Sequence, residues 1–195
     1  MLNLPSRFFI TGTDTEIGKT YIACYLLRKL RQENWNAEAI KPLVSGGLDD
    51  IKLLSKNSTG VMQRYLYYFD LPIAPHIAAE IDNIIISPTE VIRFMQQEVK
   101  SDYLIIEGFG GWYAPISYQQ TMAECVKSAE IPVVMVVGMK LGCINHALMT
   151  ARAIESDGCK LHAWIANTLP NEMPYLHQNI ETISKLLGSE PIMIV

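Results

Sequence analysis

Residues 8–20, FFITGTDTEIGKT, join an apolar run to a glycine-punctuated turn and then to the start of a helical pattern. In this context the amide groups around Gly18 and the helix N-terminus can bind phosphate oxygens. Lys19 can reach the outer phosphates of a nucleotide, and the Thr20 hydroxyl is suited to Mg²⁺. Gly12 lies six residues before Gly18, one more than G-x-x-x-x-G-K-[ST] allows. The pattern predicts a phosphate-binding loop, with a turn of no chemical role as the alternative.

The composition predicts one globular domain over residues 1–195, because 49% of the residues are hydrophobic and can fill a core. The 16 basic and 20 acidic residues give a net charge of −4, and no basic stripe indicates nucleic-acid binding. The longest apolar run, IPVVMVVGM, is shorter than the roughly 20 residues of a membrane-spanning helix, and the first residues do not resemble a secretory signal. We therefore expect a soluble, cytoplasmic protein with four reduced thiols, Cys24, Cys125, Cys143 and Cys159.

Short apolar runs alternate with longer stretches of helical period, which is typical of an α/β fold with a doubly wound, mostly parallel sheet and helices on both faces. The predicted strands are RFFITG, AEAIKP, DYLIIEG, PVVMVVG and HAWIAN. DYLIIE and PVVMVV are apolar without alternation, so we expect them to lie side by side at the centre. Helices are predicted for residues 19–33, from the capping box at residues 87–90, for residues 145–158 and for a segment ending at Gly188.

Charged residues follow the predicted strands, where ligands of such sheets bind. Glu107 ends DYLIIE and precedes glycines, so its carboxylate could hold Mg²⁺ while a ligand approaches closely. Lys41 precedes Pro42, which favours an extended backbone and directs the lysine across the crevice. Asp49 and Asp50 are either further oxygen ligands or caps of the next helix. A solvated strand end and a surface lysine are the alternatives for Glu107 and Lys41.

Six segments in one order resemble the dethiobiotin synthetase family over most of the chain. They are GTDTEIGKT, KPLVSG, APHIAAE, EGFGGWYAP, VVGMKLGCINHA and WIANT. The resemblance implies a ligase of biotin biosynthesis that uses ATP and Mg²⁺ to join CO2 to 7,8-diaminononanoate, giving dethiobiotin, ADP and phosphate. One amine forms a carbamate, ATP converts it to a carbamic-phosphoric anhydride, and the second amine closes the ureido ring. The resemblance also implies a homodimer with the active site near the interface.

The same resemblance implies the roles of the site residues. Lys41 and Lys19 are the catalytic residues, because ammonium groups stabilise charge on the carbamate and the transferred phosphoryl group. The nucleotide-binding set is Glu16, Ile17, Gly18, Lys19, Thr20, Tyr21, Asp50, Glu107, Gly108, Phe109, Gly110 and Asn167. The substrate-binding set is Thr15, Glu16, Ser45, Gly142, Cys143, Ile144 and Asn145, of which the last four serve the partner's site. The metal set is Thr20, Asp50 and Glu107.

The resemblance also suggests why an anion-binding loop contains acidic residues, because the substrate that it implies is a cationic diamine. Glu16 is expected to orient an amine rather than activate it, because a carboxylate favours the protonated amine. Asp14 has no assigned role beyond a side-chain bond that would stabilise the turn. We interpret Lys140 as a strand-end surface charge, and His76 and His146 as helix residues without chemistry.

A nucleotide-switch ATPase of the partitioning and division-site type is the main alternative, because it shares a deviant phosphate loop and a doubly wound sheet. Such proteins carry an extra lysine near the start of the loop, whereas this loop begins Gly12-Thr13-Asp14. A catalytically silent binding protein is a third alternative, against which the retained lysines and carboxylate argue. The nucleotide selectivity is left open, because Thr168 stands where the family more often has aspartate and the chain finishes at LLGSEPIMIV, where relatives usually continue.

Overall fold

The computed structural model describes residues 3–60, 64–168 and 173–195, which contain a six-stranded sheet and a two-stranded one. The strands are β1 Arg7–Gly12, β2 Ala37–Ile40, β3 Leu43–Ser45, β4 Tyr67–Phe69, β5 Tyr103–Glu107, β6 Val133–Gly138, β7 Leu161–Asn167 and β8 Met193–Ile194. The large sheet has the order β2-β5-β1-β6-β7-β8, and β3 pairs with β4. Each of these pairings is parallel. The predicted fold class and the predicted strands are confirmed.

The predicted contact between the two most apolar strands is wrong. β1 separates β5 from β6 and pairs with both, so that Ile10 aligns with Glu107 on one side and Val134 on the other. Phe8 and Ile10 are themselves fully buried. An uninterrupted apolar run indicates that a strand is buried on both faces, but it does not show which strands pair with it. The order of the three central strands could therefore not be predicted from this pattern. The observed order places the loop after β1 at the middle of the sheet.

Seven helices lie in the described parts of the chain. They are α1 Lys19–Gln32, α2 Asp49–Asn57, α3 Pro75–Ile81, α4 Pro88–Gln96, α5 Met122–Ser128, α6 Cys143–Ser156 and α7 Leu176–Leu187. α7 is followed by Gly188 in the left-handed conformation, as predicted. α6 begins ahead of the predicted residue 145, because Gly142, with a φ of 91°, already ends the preceding turn.

Only half of the predicted capping box at α4 forms. The Ser87 hydroxyl accepts the Glu90 N–H at 3.3 Å. The Glu90 carboxylate does not turn back to Ser87 but accepts a bond from the Tyr67 hydroxyl at 2.6 Å, and the Ser87 N–H donates to that hydroxyl at 3.1 Å. A tyrosine from β4 thus completes the helix start, which local sequence could not indicate.

Apolar side chains form a buried cluster on each face of the sheet. Consecutive β1 residues point to opposite faces: Phe8 packs with α1 residues such as Leu26, whereas Phe9 packs edge-on against Trp112, with ring centroids 6.5 Å apart. Burying one such side chain contributes roughly 1.5–3 kcal/mol relative to leaving it exposed. The two clusters hold the sheet between helices and bring the carboxyl ends of its parallel strands to one edge.

The cysteines are free thiols, as predicted, with Cys159 half-buried and the other three buried. No helix in the described parts of the chain is long and apolar enough to cross a membrane. That residues 1–195 form a single domain stays a prediction.

Candidate active site

The loop between β1 and α1 includes two residues with left-handed backbone. Gly18 has a φ of 84° and caps α1, and Glu16 has a φ of 53°. Glycine adopts this conformation without strain because it lacks a Cβ, whereas glutamate adopts it at a conformational cost. The Thr13 N–H donates to the Val136 carbonyl at 3.0 Å, which fixes the start of the loop on β6. The loop ends at the first turn of α1, whose amide groups lack intrahelical partners and can bind an anion.

A cavity of about 890 Å³ opens beside this loop, within the range of small-molecule sites. The predicted residues that line it are Thr15, Glu16, Gly18, Lys19, Thr20, Lys41, Ser45, Asp50, Glu107, Phe109 and Gly110. Sequence reasoning missed the rest of its wall, which is Leu43, Pro72, Ile73, Ala74, Pro75, Gly111, Ala114 and Pro115. The prolines and glycines after β4 and β5 were the available signal, because such residues mark fixed turns.

The Lys41 ammonium lies between two carboxylates of this cavity. Its Nζ is 3.0 Å from Glu107 Oε1 and also contacts Asp50 Oδ2. The Thr20 hydroxyl donates to the same Glu107 oxygen at 2.6 Å. Burial by itself lowers the pKa of Lys41, but the two carboxylates outweigh that effect and the pKa is raised. Lys41 is therefore a charged ammonium that compensates two acids.

Glu107 is 1% exposed at the end of β5. This burial raises the pKa of Glu107, while the Lys41 ammonium and the Thr20 hydroxyl oppose the rise. Its Oε2 atom is buried without a hydrogen-bond partner among the described residues. A buried acceptor in this state costs free energy unless a ligand satisfies it. One carboxylate oxygen is thus available to a bound cation.

The oxygens of Thr20, Asp50 and Glu107 are of the kind that Mg²⁺ prefers, and Lys41 brings the two carboxylates together. Asp49 does not join them, because its carboxylate pairs with Lys52 at 2.8 Å on the exposed side of α2. In the parts of the chain that the structure describes, no three His, Cys, Asp or Glu side chains could hold a metal by themselves. The protein would therefore supply part of a coordination sphere that phosphate oxygens and water complete.

Lys19 is buried at the end of the loop, and its Nζ donates to the Asp14 carbonyl at 2.9 Å. Burial lowers the pKa of Lys19 to about 8, although Glu107 acts in the opposite direction. Holding this positive charge away from water costs free energy when the partner is a neutral carbonyl. A phosphate group would compensate it.

The remaining predicted residues lie outside the cavity wall: Ile17, Tyr21, Gly108, Asn167, Gly142, Cys143, Ile144 and Asn145. Ile17 is buried in the core, and Gly108 lies so close to Phe9 that a Cβ there would be 2.6 Å from the ring. Asn167 is buried, and its Nδ2 donates to the Ile17 carbonyl at 2.7 Å, so it supports the loop in this structure. Residues 142–145 surround the start of α6. Packing of this kind depends on distant elements, which a local motif does not encode.

Asp14 connects the loop to the turn after β6. Its Oδ1 accepts the Thr15 N–H at 2.8 Å, which confirms the predicted turn-stabilising bond. Its Oδ2 accepts Lys140 Nζ at 2.7 Å across 126 residues of sequence. The interpretation of Lys140 as a plain surface charge was therefore incomplete, because the partner lies too far along the chain for a local pattern to reveal it.

Three features define a P-loop nucleotide-binding protein. A phosphate loop follows a central strand, a lysine and a hydroxyl stand at the start of the next helix, and a carboxylate ends the neighbouring strand. Residues 6–194 match the family model described as AAA domain. The chain belongs to the dethiobiotin synthetase family, as its six segments predicted. It is 42% identical over 176 residues to the ATP-dependent dethiobiotin synthetase of Yersinia pestis bv. Antiqua (strain Angola), covering 84% of this chain and 73% of that protein. It is 36% identical over 200 residues to the ATP-dependent dethiobiotin synthetase of Cellvibrio japonicus (strain Ueda107), and the match covers 96% of this chain and 88% of that protein.

Solved structures share the fold. MinD in the MinC:MinD cell division protein complex of Aquifex aeolicus has a TM-score of 0.62, covering 98% of this chain and 81% of that one. A ParA family ATPase of Chlorobium tepidum TLS has a TM-score of 0.56, covering 97% and 83%. Their sequence identities of 14% and 17% show the fold alone. The partitioning and division-site alternative therefore rests on the fold, whereas the likeness to dethiobiotin synthetases extends to the sequence.

Lys19→Met is expected to stabilise the nucleotide-free protein. The pKa of Lys19 falls from 10.5 to about 8 on folding, so between these values the unfolded chain binds more protons and stability rises with pH. Below the folded pKa the cost of the buried charge is fully present. Removing the charge should raise the free energy of unfolding by roughly 1–3 kcal/mol at pH 7, and this gain should shrink toward pH 10. Urea unfolding at both pH values, with a chelator present, measures the effect.

Lys52→Met is the matched control, because Lys52 is exposed and pairs with Asp49 outside the cavity. It should leave the free energy of unfolding nearly unchanged. A Lys19→Met variant no more stable than this control at pH 7, or one whose gain does not vary with pH, would contradict the argument from burial.

Proposed function

We propose that this chain catalyses the ATP-dependent closure of the dethiobiotin ureido ring from 7,8-diaminononanoate and CO2, with ADP and phosphate as the other products. The proposal follows the name of its relatives, ATP-dependent dethiobiotin synthetase. One observation carries it: the Lys41 ammonium lies between Glu107 and Asp50 in a cavity that Lys19 and Thr20 also line. Two lysines in one cavity provide the positive charge that a carbamate and a transferring phosphoryl group require.

The triphosphate is assigned to the loop and the first turn of α1. Lys19 Nζ donates one N–H to the Asp14 carbonyl at 2.9 Å and directs its remaining N–H groups to phosphate oxygens, which offsets the cost of its burial. The amide groups around Gly18 bind further oxygens. The base is assigned to Asn167, whose side chain can both donate and accept hydrogen bonds.

Mg²⁺ would be held by Thr20, Asp50 and Glu107, whose oxygens fit the ion and include the unpartnered Glu107 Oε2. When bound, Mg²⁺ neutralises charge on the phosphates. Lys41 shares both carboxylates in the present structure. Its ammonium can turn toward the carbamate at little electrostatic cost once these acids have another positive partner. Lys41 thereby changes from a counter-charge into a catalytic group.

The diamine is assigned to three residues of the cavity wall, Thr15, Glu16 and Ser45. Glu16 orients one amine, and the other adds to CO2 as the free base and loses a proton to form the carbamate. The carbamate oxygen attacks the γ-phosphorus and ADP leaves, while Lys19 and Lys41 stabilise the transferring group. The second amine loses a proton to solvent and attacks the carbonyl carbon as the free base. Phosphate leaves and the nitrogen loses a second proton as the ring closes.

The substrate carboxylate is assigned to the amide groups at the start of α6 in a second copy of the chain. Residues 142–145 do not line the cavity of their own chain. Leu141 beside them is 95% exposed, and Met149 on α6 is 61% exposed. A second copy of the chain packed on this face would remove these two apolar side chains from water. We therefore propose a homodimer in which each chain completes the other's site.

Phosphate release from ATP should require both the diamine and bicarbonate. With Mg²⁺, ATP and both substrates, mass spectrometry should detect dethiobiotin in amounts equal to the phosphate released, because one anhydride is consumed for each ring closed. Omission of the diamine should leave at most a slow background hydrolysis. Equal hydrolysis with and without the diamine would favour a switch ATPase and overturn the proposed function.

Lys41→Gln is expected to lower turnover by roughly a hundredfold or more, because it removes a charge that stabilises the transferring phosphoryl group. Steady-state kinetics at saturating ATP and diamine measure the loss. Lys52→Gln is the control, since it removes a lysine that pairs with Asp49 on the exposed side of α2. Wild-type turnover in Lys41→Gln, or an equal loss in both variants, would refute the role of Lys41.

If each active site contains residues of both chains, two inactive variants should regain activity when they form mixed dimers. Asn145→Asp places a negative charge at the proposed carboxylate site and should weaken diamine binding, since Asn145 is exposed at the start of α6. Refolding equal amounts of Asn145→Asp and Lys41→Gln together should restore about a quarter of the wild-type sites, because half of the dimers are mixed and each has one intact site.

Assays at limiting diamine measure this recovery, with each variant refolded alone as the control. Mixed dimers are shown when an affinity tag on one variant co-purifies the other. A mixture that contains them and is no more active than the mean of the two separate variants would place the carboxylate site within one chain.

A further inference from the structure

Asp14 holds two groups of the active site without lining the cavity itself. Its carbonyl oxygen accepts Lys19 Nζ at 2.9 Å, and its Oδ1 accepts the Thr15 N–H at 2.8 Å. The Asp14 carbonyl and the Thr15 N–H belong to one planar peptide unit. Because the side-chain bond fixes that plane, it also fixes the direction of the carbonyl on which Lys19 rests.

Lys140 fixes the other oxygen of this carboxylate. Its Nζ donates to Asp14 Oδ2 at 2.7 Å. The backbone on either side of Lys140 is held in turn, because the Met139 N–H donates to the Asn167 carbonyl at 2.9 Å and the Lys140 carbonyl accepts the Cys143 N–H at 2.9 Å. The ammonium is thus anchored between the end of β6 and the start of α6.

The Asp14–Lys140 pair is not placed to stabilise the fold. The side chains of Lys140 and Asp14 are 43% and 37% exposed, so water screens their attraction. Pairs with such exposure contribute little to the free energy of unfolding. They can still select one orientation of a short side chain, and for Asp14 that orientation sets the adjoining peptide plane.

We propose that Asp14 and Lys140 are positioning residues of the reaction, acting as one pair that aligns Lys19 for the triphosphate and Thr15 for the amine. The identity of these two ligands rests on the proposed function. The pair also joins the loop between β1 and α1 to the turn between β6 and α6, which carries residues 142–145. The binding of both substrates therefore depends on one ion pair between these two segments. The competing explanation is that Lys140 binds a phosphate or carboxylate directly.

A double-mutant cycle separates these explanations. Asp14→Asn keeps an oxygen for the Thr15 N–H but removes the charge, and Lys140→Met removes the ammonium with little change of length. Lys140→Arg keeps the charge. Lys185→Met is the matched control, because Lys185 and Glu181 form an equally short exposed pair, at 2.6 Å, within α7.

Asp14→Asn and Lys140→Met should each lower kcat/KM for ATP by about tenfold, and the double variant should be no worse than either alone. Lys140→Arg should recover most of the loss, and Asp14→Ala, which loses both bonds, should fall further. Melting temperatures should stay near that of the wild type, and Lys185→Met should match it in kinetics. Multiplied losses in the double variant would show that Lys140 acts on a ligand independently of Asp14, and wild-type kinetics in both single variants would also overturn the proposal.

Calorimetric titration with ATP, in the absence of the diamine, tests the pair without turnover. The same non-additive weakening of nucleotide affinity is expected there, and unchanged affinity in both single variants would count against the pair. Failure of the wild type to form dethiobiotin would overturn the proposed function only. An active wild type with unaffected variants would overturn the positioning role only.

Discussion

The ammonium of Lys41 is the charge on which the rest of the site depends. Glu107 is 1% exposed at the end of a central strand, and a carboxylate at such a position is costly unless a positive group lies against it. Lys41 reaches Glu107 from the end of β2 and meets Asp50 from α2, so one side chain holds together three elements. The electrostatics that permit a buried acid and the chemistry proposed for the lysine therefore require the same group.

The two acids of the loop make different contacts. Asp14 is turned inward to the loop and to Lys140, where it organises backbone. Glu16 lines the cavity and is available to a cationic substrate. An anion site can accommodate both because neither carboxylate needs to lie where the phosphates are proposed to bind. The family to which the chain belongs, with relatives at 33–42% identity, is named for a reaction that uses ATP.

Local motifs predicted the fold class, the strands and the polar centre, because glycine-rich turns and strand-end charges lie within a few residues of one another in sequence. They did not predict long-range pairings. The order of β5, β1 and β6 depends on how three buried strands pack against each other. The choice of Asp50 over Asp49 depends on the rotation of α2 against Lys41. The cavity wall is formed in part by residues that follow β4 and β5, and Lys140 bonds to Asp14. Both features bring together residues that are far apart along the chain, so a local sequence pattern does not reveal them.

The backbone of Glu16, at a φ of 53°, shows where stability and chemistry compete. Glycine would adopt this torsion freely, so an optimisation guided by backbone energetics alone would replace the glutamate first. Such a change would relax the loop but remove the carboxylate that is proposed to face the diamine. Engineering for heat resistance in this enzyme should therefore begin at the far end of the sheet and leave the strained torsion as it is.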